Sequence, residues 1–271
     1  VSVDLEALIA EVRSSTRYRA ISPALVSSVV QAELRKQRSH RETVKAVKTK
    51  LHQMVGVFLD GKLAYPEALE GLRAAAGDPA ALRSCCSALM AGHTSTRERL
   101  PILEPFYRAI FDHLGPVHSI LDLGCGLNPL AIPWMPLAEG CSYHAYDVHA
   151  DLIQFLAAAL PLTGVDGGAH LAELTQETVG RPADLALLLK CLPTLDQLDR
   201  SAAARLLSTL RVKQMVISFP LRSLGGHERG MRANYATRFQ QLIAGRPWQV
   251  ERLEFPTELV YLVTTSPSHV W

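Results

Sequence analysis

The sequence predicts an α/β protein, with a helical N-terminal part followed by a mostly parallel, doubly wound sheet of seven strands. Three observations predict it. Up to about residue 112 apolar positions recur at three- and four-residue steps, as in Leu5, Leu8, Ile9 and Val12. From Gly115-Pro116 onward, short apolar or β-branched runs alternate with helical stretches, the signature of parallel strands joined by helices. The last two runs are separated only by Pro256-Thr257, too short for a parallel crossover and right for a hairpin.

In the first part, Ser22-Pro23 reads as a helix start, followed by Leu25, Val26, Val29 and Val30 on one stripe. A second stripe carries Val44, Val47, Leu51, Met54 and Val55, with Arg41, Lys45 and Lys48 alongside. Gly61, Pro66, Gly77-Asp78-Pro79 and Gly92 divide the rest into short helices. Strands are expected at 117–123, 142–148, 169–174, 183–190 and 212–219, then within 248–255 and 258–265. Helices are expected at 150–160, 196–210 and 232–244. The expected domains are therefore a helical, basic one over 1–112 and a sheet domain over 113–271.

The 271 residues are 48% hydrophobic, enough for a substantial core. No apolar run approaches the ~20 residues that cross a bilayer, and no signal-peptide core opens the chain, so a cytoplasmic protein is expected. The five cysteines include no CxxC pair, and no HExxH or close Cys/His group occurs, so neither disulfides nor a metal are expected. The net charge of +2 conceals an asymmetry. Residues 1–52 hold ten bases against five acids (+5), leaving 18 bases and 21 acids (−3) elsewhere. A basic first segment is the footprint of a polyanion partner, or simply a solvated helix face.

The first strand ends in "LDLGCGLNP", residues 121–129. A strand that stops on glycines just before a helix is a nucleotide-binding corner. The NAD fingerprint GxGxxG would require glycine where Pro129 stands. Asp122, two residues before Gly124, instead gives the acidic-x-Gly-x-Gly corner of methyltransferases, and Asn128-Pro129 reads as cap and first turn of the next helix. An open parallel sheet closed by an antiparallel pair is the layout of class I S-adenosylmethionine (SAM) methyltransferases. SAM needs glycines beside its methionine, a carboxylate for its ribose diol and a polar partner for its adenine. Gly124 and Gly126, Asp147, and Glu173 with Leu174 stand at those places. Its carboxylate needs a cation, for which "HTSTRERL" offers Arg97 or Arg99.

"LDLGCGLNPLAI", "HTSTRERL", "LLLKCLPTLDQ" and "ISFPLRSLGGHERGMRANY" together resemble the aminoglycoside-resistance 16S rRNA methyltransferases, the Arm/Rmt/Kgm group. "RYRAISP", "TVKAVKTKLHQMVGVFL" and "TELVYLV" extend the likeness over nearly the whole chain. The resemblance implies methylation of N7 of one guanosine, the nucleotide called G1405, in the decoding site of the small ribosomal subunit. It implies that Phe58, His93, Thr94, Ser95 and Arg99 meet SAM from the helical side, with Arg99 on its carboxylate. Lys190 falls where such enzymes place a residue beside the reacting atom. The family's usual alanine is replaced by Gly124, and its usual aspartate at the adenine by Glu173.

Guanine N7 has a lone pair and no proton, so alignment suffices for catalysis and no general base is needed. The target base must be turned out of the RNA, because the deep major groove of A-form RNA shields it. Phosphate contacts are expected from Arg35, Lys36, Arg38, Arg41, Lys45 and Lys48, and from Arg222 and Arg229 in the glycine-rich segment after the fifth strand. A monomer that leaves this surface free for the subunit's 16S rRNA is expected. The rival readings are a SAM-dependent small-molecule methyltransferase, an NAD-dependent oxidoreductase and a non-catalytic RNA-binding protein.

Overall fold

The computed structural model describes residues 4–56, 63–221 and 231–265. Three helices come first: α1 (Leu5–Arg13), α2 (Pro23–Leu34) and α3 (His40–Leu51), the last running into a π-helical turn, His52–Gly56. Asp4 starts α1 by accepting from the Glu6 N–H, and Ser39 with Glu42 forms a capping box on α3. Pro23 takes the first turn of α2 as expected, but the Ser22 hydroxyl makes no cap bond. The Ser22 N–H donates instead to Val148 O (2.7 Å), and residues 20–22 pair antiparallel with 148–150. Leu8, Val12, Val26, Val29, Val47 and Leu51 give these helices a core of their own.

Four further helices lead to the sheet: α4 (Tyr65–Ala75), α5 (Pro79–Met90), α6 (Thr94–Arg99) and α7 (Leu103–Leu114). Leu72, Met90, Phe106, Tyr107 and Ile110 from this group bury in one core with a face of the sheet. The cores therefore divide ahead of α4, whereas helical periodicity runs unbroken to α7. Periodicity reports that an element has a buried face and not which core that face joins.

The strands are β1 (Ser119–Leu123), β2 (Ser142–Asp147), β3 (Asp166–Leu171), β4 (Ala183–Leu189), β5 (Val212–Pro220), β6 (Gln249–Glu254) and β7 (Glu258–Thr264). They form one sheet in the order β3-β2-β1-β4-β5-β7-β6. All pairs through β5 are parallel, and β7 inserts antiparallel between β5 and β6. The crossovers use α8 (Ala150–Ala159), α9 (Leu192–Leu198), α10 (Ala202–Thr209) and α11 (Met231–Ile243). Alternation assigns the two faces: Leu185 and Leu187 of β4 join the core shared with α4–α7, while Ala186 and Leu188 turn to the side of α9–α11. Strands buried on both faces read as continuous apolar runs, which is why β4 and β5 stand out in the sequence.

Three elements differ from the sequence expectation. The third strand lies at Asp166–Leu171 rather than 169–174, which leaves Glu173 and Leu174 in the loop beyond it. Its second and third residues are Gly167 and Gly168, poor strand formers; Gly167 sits at φ +130° with space for no side chain, since a Cβ there would come 2.0 Å from Tyr143 O. The segment expected as one helix over 196–210 is two, since Asp199 turns the chain by accepting from the Ser201 N–H and hydroxyl. After the glycines the chain forms 3-10 turns over Asn128–Trp134, with Pro129 and Pro133, and not an α-helix. Asn128 is the first residue of those turns and not their cap, because its side chain is committed to a buried network.

Candidate active site

β1 stops at Leu123, and the chain turns through Gly124 and Gly126 at φ +67° and +51°, backbone that L side chains rarely adopt. Both positions are also crowded. A Cβ on Gly124 would lie 2.9 Å from Cys191 Sγ, and one on Gly126 would lie 2.9 Å from the His93 ring. Glycine at this corner thus lets the end of β4 and the head of α6 close on the tip of β1.

Asp147 ends β2 beside it. Its Oδ1 accepts from the Val148 and His149 N–H groups (2.7 and 3.2 Å), and Oδ2 from the Gly126 N–H (3.0 Å). Burial pushes this carboxyl up, and those backbone donors oppose the shift. Beyond β3, Glu173 is buried and folded onto Thr175, whose N–H and hydroxyl donate to Oε1 at 3.0 and 2.7 Å. Beyond β4, Lys190 has left-handed backbone (φ 59°), a strained state for lysine, held by its N–H donating to Ser218 O and Oγ. Its ammonium donates to Glu98 Oε2 (2.6 Å) and Ser95 O (3.3 Å) and stands 3.5 Å from Glu258 Oε1.

Arg99, at the end of α6, is 1% exposed and meets the fully buried Glu258 edge to edge. Nε donates to Oε1 (2.7 Å) and Nη2 to Oε2 (2.9 Å), while Nη1 donates to Asn128 Oδ1 (2.9 Å). The guanidinium also lies 4.8 Å from the centre of the Phe106 ring. Asn128 continues the network, accepting from the Tyr107 hydroxyl (2.5 Å) and donating to Asp122 Oδ2 (3.0 Å). Asp122 also accepts from the Tyr143 hydroxyl, and burial, the largest influence, pushes its carboxyl up to about 6.

These groups surround one cavity at the C-terminal ends of β1, β2 and β4. His93, Ser95 and Arg99 line it from the helical side, Gly124, Gly126 and Asp147 from the first two strand ends, Glu173 and Leu174 from the loop after β3, and Lys190 from the end of β4, its ammonium turned toward α6. Thr94 is buried but does not line it. Successive helical residues point about 100° apart, so Thr96 faces the cavity in its place. Phe58, Arg222 and Arg229 lie outside the described residues. Sequence reasoning missed Glu258, Asn128 and the apolar wall from Leu25, Met54, Leu152 and Leu195. The one signal for Glu258 was an acid opening an apolar strand.

Chemically, the cavity offers a carboxylate with both oxygens oriented by backbone, suited to a diol, an apolar slot suited to a flat base, and glycines where a chain can pass. Cys125 and Cys191 also line it, but burial pushes both thiols up, away from nucleophilic reactivity. Among the described residues no cluster of His, Cys, Asp or Glu is placed to hold a metal, and no helix is long and apolar enough to cross a membrane.

In the connection after α2 and along α3, Arg35, Lys36, Arg38, Arg41 and Lys45 are exposed and Lys48 is half-buried. Buried Glu33 draws three cations together, with Lys36 at 2.7 Å, Arg38 at 2.5 Å and Lys50 at 4.0 Å. Lys36, Arg38, Lys45 and Lys50 line a shallow groove there.

Sheet order and cavity together define a class I SAM-dependent methyltransferase. The sequence profile of the FmrO ribosomal RNA methyltransferases matches residues 13–262. A 16S rRNA (guanine(1405)-N(7))-methyltransferase of Micromonospora rosea is 37% identical over 256 residues, 93% of each chain. A protein of the same name from Serratia marcescens is 34% identical over 257 residues, 92% of this chain and 94% of its own. The crystal structure of the 16S rRNA methyltransferase RmtF in complex with S-adenosyl-L-homocysteine superposes with a TM-score of 0.84 at 32% identity, covering 98% of this chain and all of that one. The chain belongs to the FmrO family of ribosomal RNA methyltransferases.

Asp122 yields a test. Its carboxyl titrates near 6 when folded against an ordinary 3.8, so its contribution to stability is complete below about pH 4 and is lost as pH rises through 6. Asp122→Asn removes that loss. By urea unfolding, the variant should gain on the wild type by about 2 kcal/mol between roughly pH 4.5 and pH 7.5; a pH-independent difference would show that the carboxyl titrates normally.

Proposed function

We propose that this chain methylates N7 of guanosine 1405 of 16S rRNA in the small ribosomal subunit, in the cytoplasm and as a monomer, and so confers resistance to aminoglycosides. The observation that carries the reading is the convergence of α6 with the ends of β1, β2 and β4 on one cavity lined by Asp147, Glu173, the glycine corner and apolar side chains, in a chain of this family. SAM is the cofactor, and when bound it supplies a methyl group already activated on a sulfonium.

The residues present fit that group. Asp147, held by three backbone donors, would take the ribose diol. Leu174 and Glu173 would bound the adenine, and the left-handed turn at Gly124 and Gly126 would let the methionine pass. Arg99 would receive the carboxylate. Its bonds to described residues use three of the five guanidinium N–H groups, which leaves donors on Nη1 and Nη2. Ser95 and His93 would close the site from α6. Lys190 would stand beside the reacting atoms as a positioning residue, its strained backbone fixed by Ser218.

No proton has to leave N7, so the protein's contribution is alignment and exclusion of water. Acid–base partners are not required, and the carboxylates at the site are engaged in structural hydrogen bonds. The site lies at the strand ends while the basic groove lies on α2 and α3, and residues 20–22 connect the two by pairing with 148–150 directly after Asp147. We assign RNA phosphate binding to the α1–α3 unit through Arg35, Lys36, Arg38, Arg41, Lys45 and Lys48. Arg222 and Arg229 are assigned to RNA phosphate contacts as well. The remaining helices up to residue 112 serve the cofactor-binding domain over 113–271.

Two outcomes are expected. Incubation of intact small subunits with protein and SAM should produce a single N7-methylguanosine, mapped by primer extension or mass spectrometry to position 1405; methylation elsewhere, or only of free small molecules, would refute the assignment. Replacing Lys36 and Lys45 by alanine should leave SAM affinity unchanged, weaken subunit binding and lower the slope of log affinity against log salt by roughly one per cation. An unaltered slope would move the phosphate-binding face elsewhere.

A further inference from the structure

Glu258 is the first residue of β7, is fully buried, and does not line the cavity. Its side chain meets two residues that do line it, Arg99 and Lys190, and Ser218, which holds the Lys190 backbone. Its two oxygens accept from Arg99 Nε and Nη2 at 2.7 and 2.9 Å, Oε2 accepts from the Ser218 hydroxyl at 2.7 Å, and Oε1 lies 3.5 Å from Lys190 Nζ. Burial alone would push its carboxyl up, yet the charges of Arg99 and then Lys190 bring it below its ordinary value. It is therefore an anion at neutral pH. Lys190 has a second acid, Glu98, at 2.6 Å.

Two cations, Arg99 and Lys190, thus reach the cavity from one side, and two carboxylates behind or beside them match their charge. This matters for a site that must take a cationic ligand. SAM carries a sulfonium in addition to its amino-acid charges, whereas S-adenosylhomocysteine carries a neutral thioether. A cavity wall with unbalanced positive charge would repel the first and tolerate the second.

We propose that Glu258 is a positioning residue that charge-balances Arg99 and Lys190, so that the cavity accepts the sulfonium form of the cofactor as well as holding both cations in place. The inference rests on the cofactor reading above. It separates from a purely structural role through one ratio. Loss of packing or order weakens SAM and S-adenosylhomocysteine together, while loss of the negative charge weakens SAM selectively.

The test is calorimetric titration of both ligands into the wild type, Glu258→Gln and Glu258→Asp. Glu258→Gln is expected to lose ~10-fold more affinity for SAM than for S-adenosylhomocysteine, the size of one uncompensated charge several ångströms away in a partly buried site. Glu258→Asp, which keeps the charge, is expected to retain the wild-type ratio. Because Glu258→Gln leaves a buried arginine short of its partner and can fail to fold, Glu98→Gln serves as the second variant. Glu98 is 31% exposed by side chain and outside the core, and its loss should shift the ratio in the same direction. Equal losses for both ligands in the glutamine variants overturn the proposal while leaving the cofactor reading intact. Failure of the wild type to bind either ligand overturns both.

Discussion

The buried pair of Arg99 and Glu258 organises this molecule. The two residues are 159 positions apart, one closing a short helix ahead of the sheet and the other opening its last strand. Neither charge can stay in the interior without the other, since a lone buried ion costs several kcal/mol. Satisfying them therefore fixes α6 against the sheet at the start of β7. Asn128 is the third member. It accepts from Arg99 and Tyr107 and donates to Asp122, so the same network that docks α6 also sets the chain just after the glycines.

From that constraint the cavity follows. With α6 pinned, the His93 ring comes to rest over Gly126, and only glycine leaves space for it. Cys191 approaches Gly124 in the same way from β4. Asp147 is oriented by the backbone of the turn it faces and of the residues that follow it. Those following residues, 148–150, also pair with 20–22 of the basic helical unit. Asp147 and the basic helical unit are thus joined through one short stretch of hydrogen-bonded backbone.

Much of this was legible in the sequence, for identifiable reasons. Strand–helix alternation and the two-residue connection at Pro256-Thr257 determine the sheet, because parallel and antiparallel joins need different lengths of chain. The glycine corner declares itself because backbone conformation and crowding demand that residue type, and Asp147 because it is the acid that closes the second strand beside that corner. What escaped notice depends on tertiary partners. Asn128 looks like a helix cap by itself, and only the proximity of Arg99, Tyr107 and Asp122 redirects its side chain. Glu258 carries no motif, since a buried acid is meaningful only through a cation that arrives from far away in the chain. The third strand lies three residues earlier than its apolar pattern suggests because Gly167 meets the need for close approach to Tyr143 and not strand propensity.

The central claim is that Arg99 and Glu258 stabilise the molecule as a unit. A double-mutant cycle with Arg99→Met and Glu258→Leu, read as unfolding free energy in urea, tests it most directly. Each single change should cost about 3–5 kcal/mol by stranding the other charge, and the double variant should recover most of that loss, giving a coupling of several kcal/mol. Additive losses, with the double variant less stable than either single one, would contradict the account.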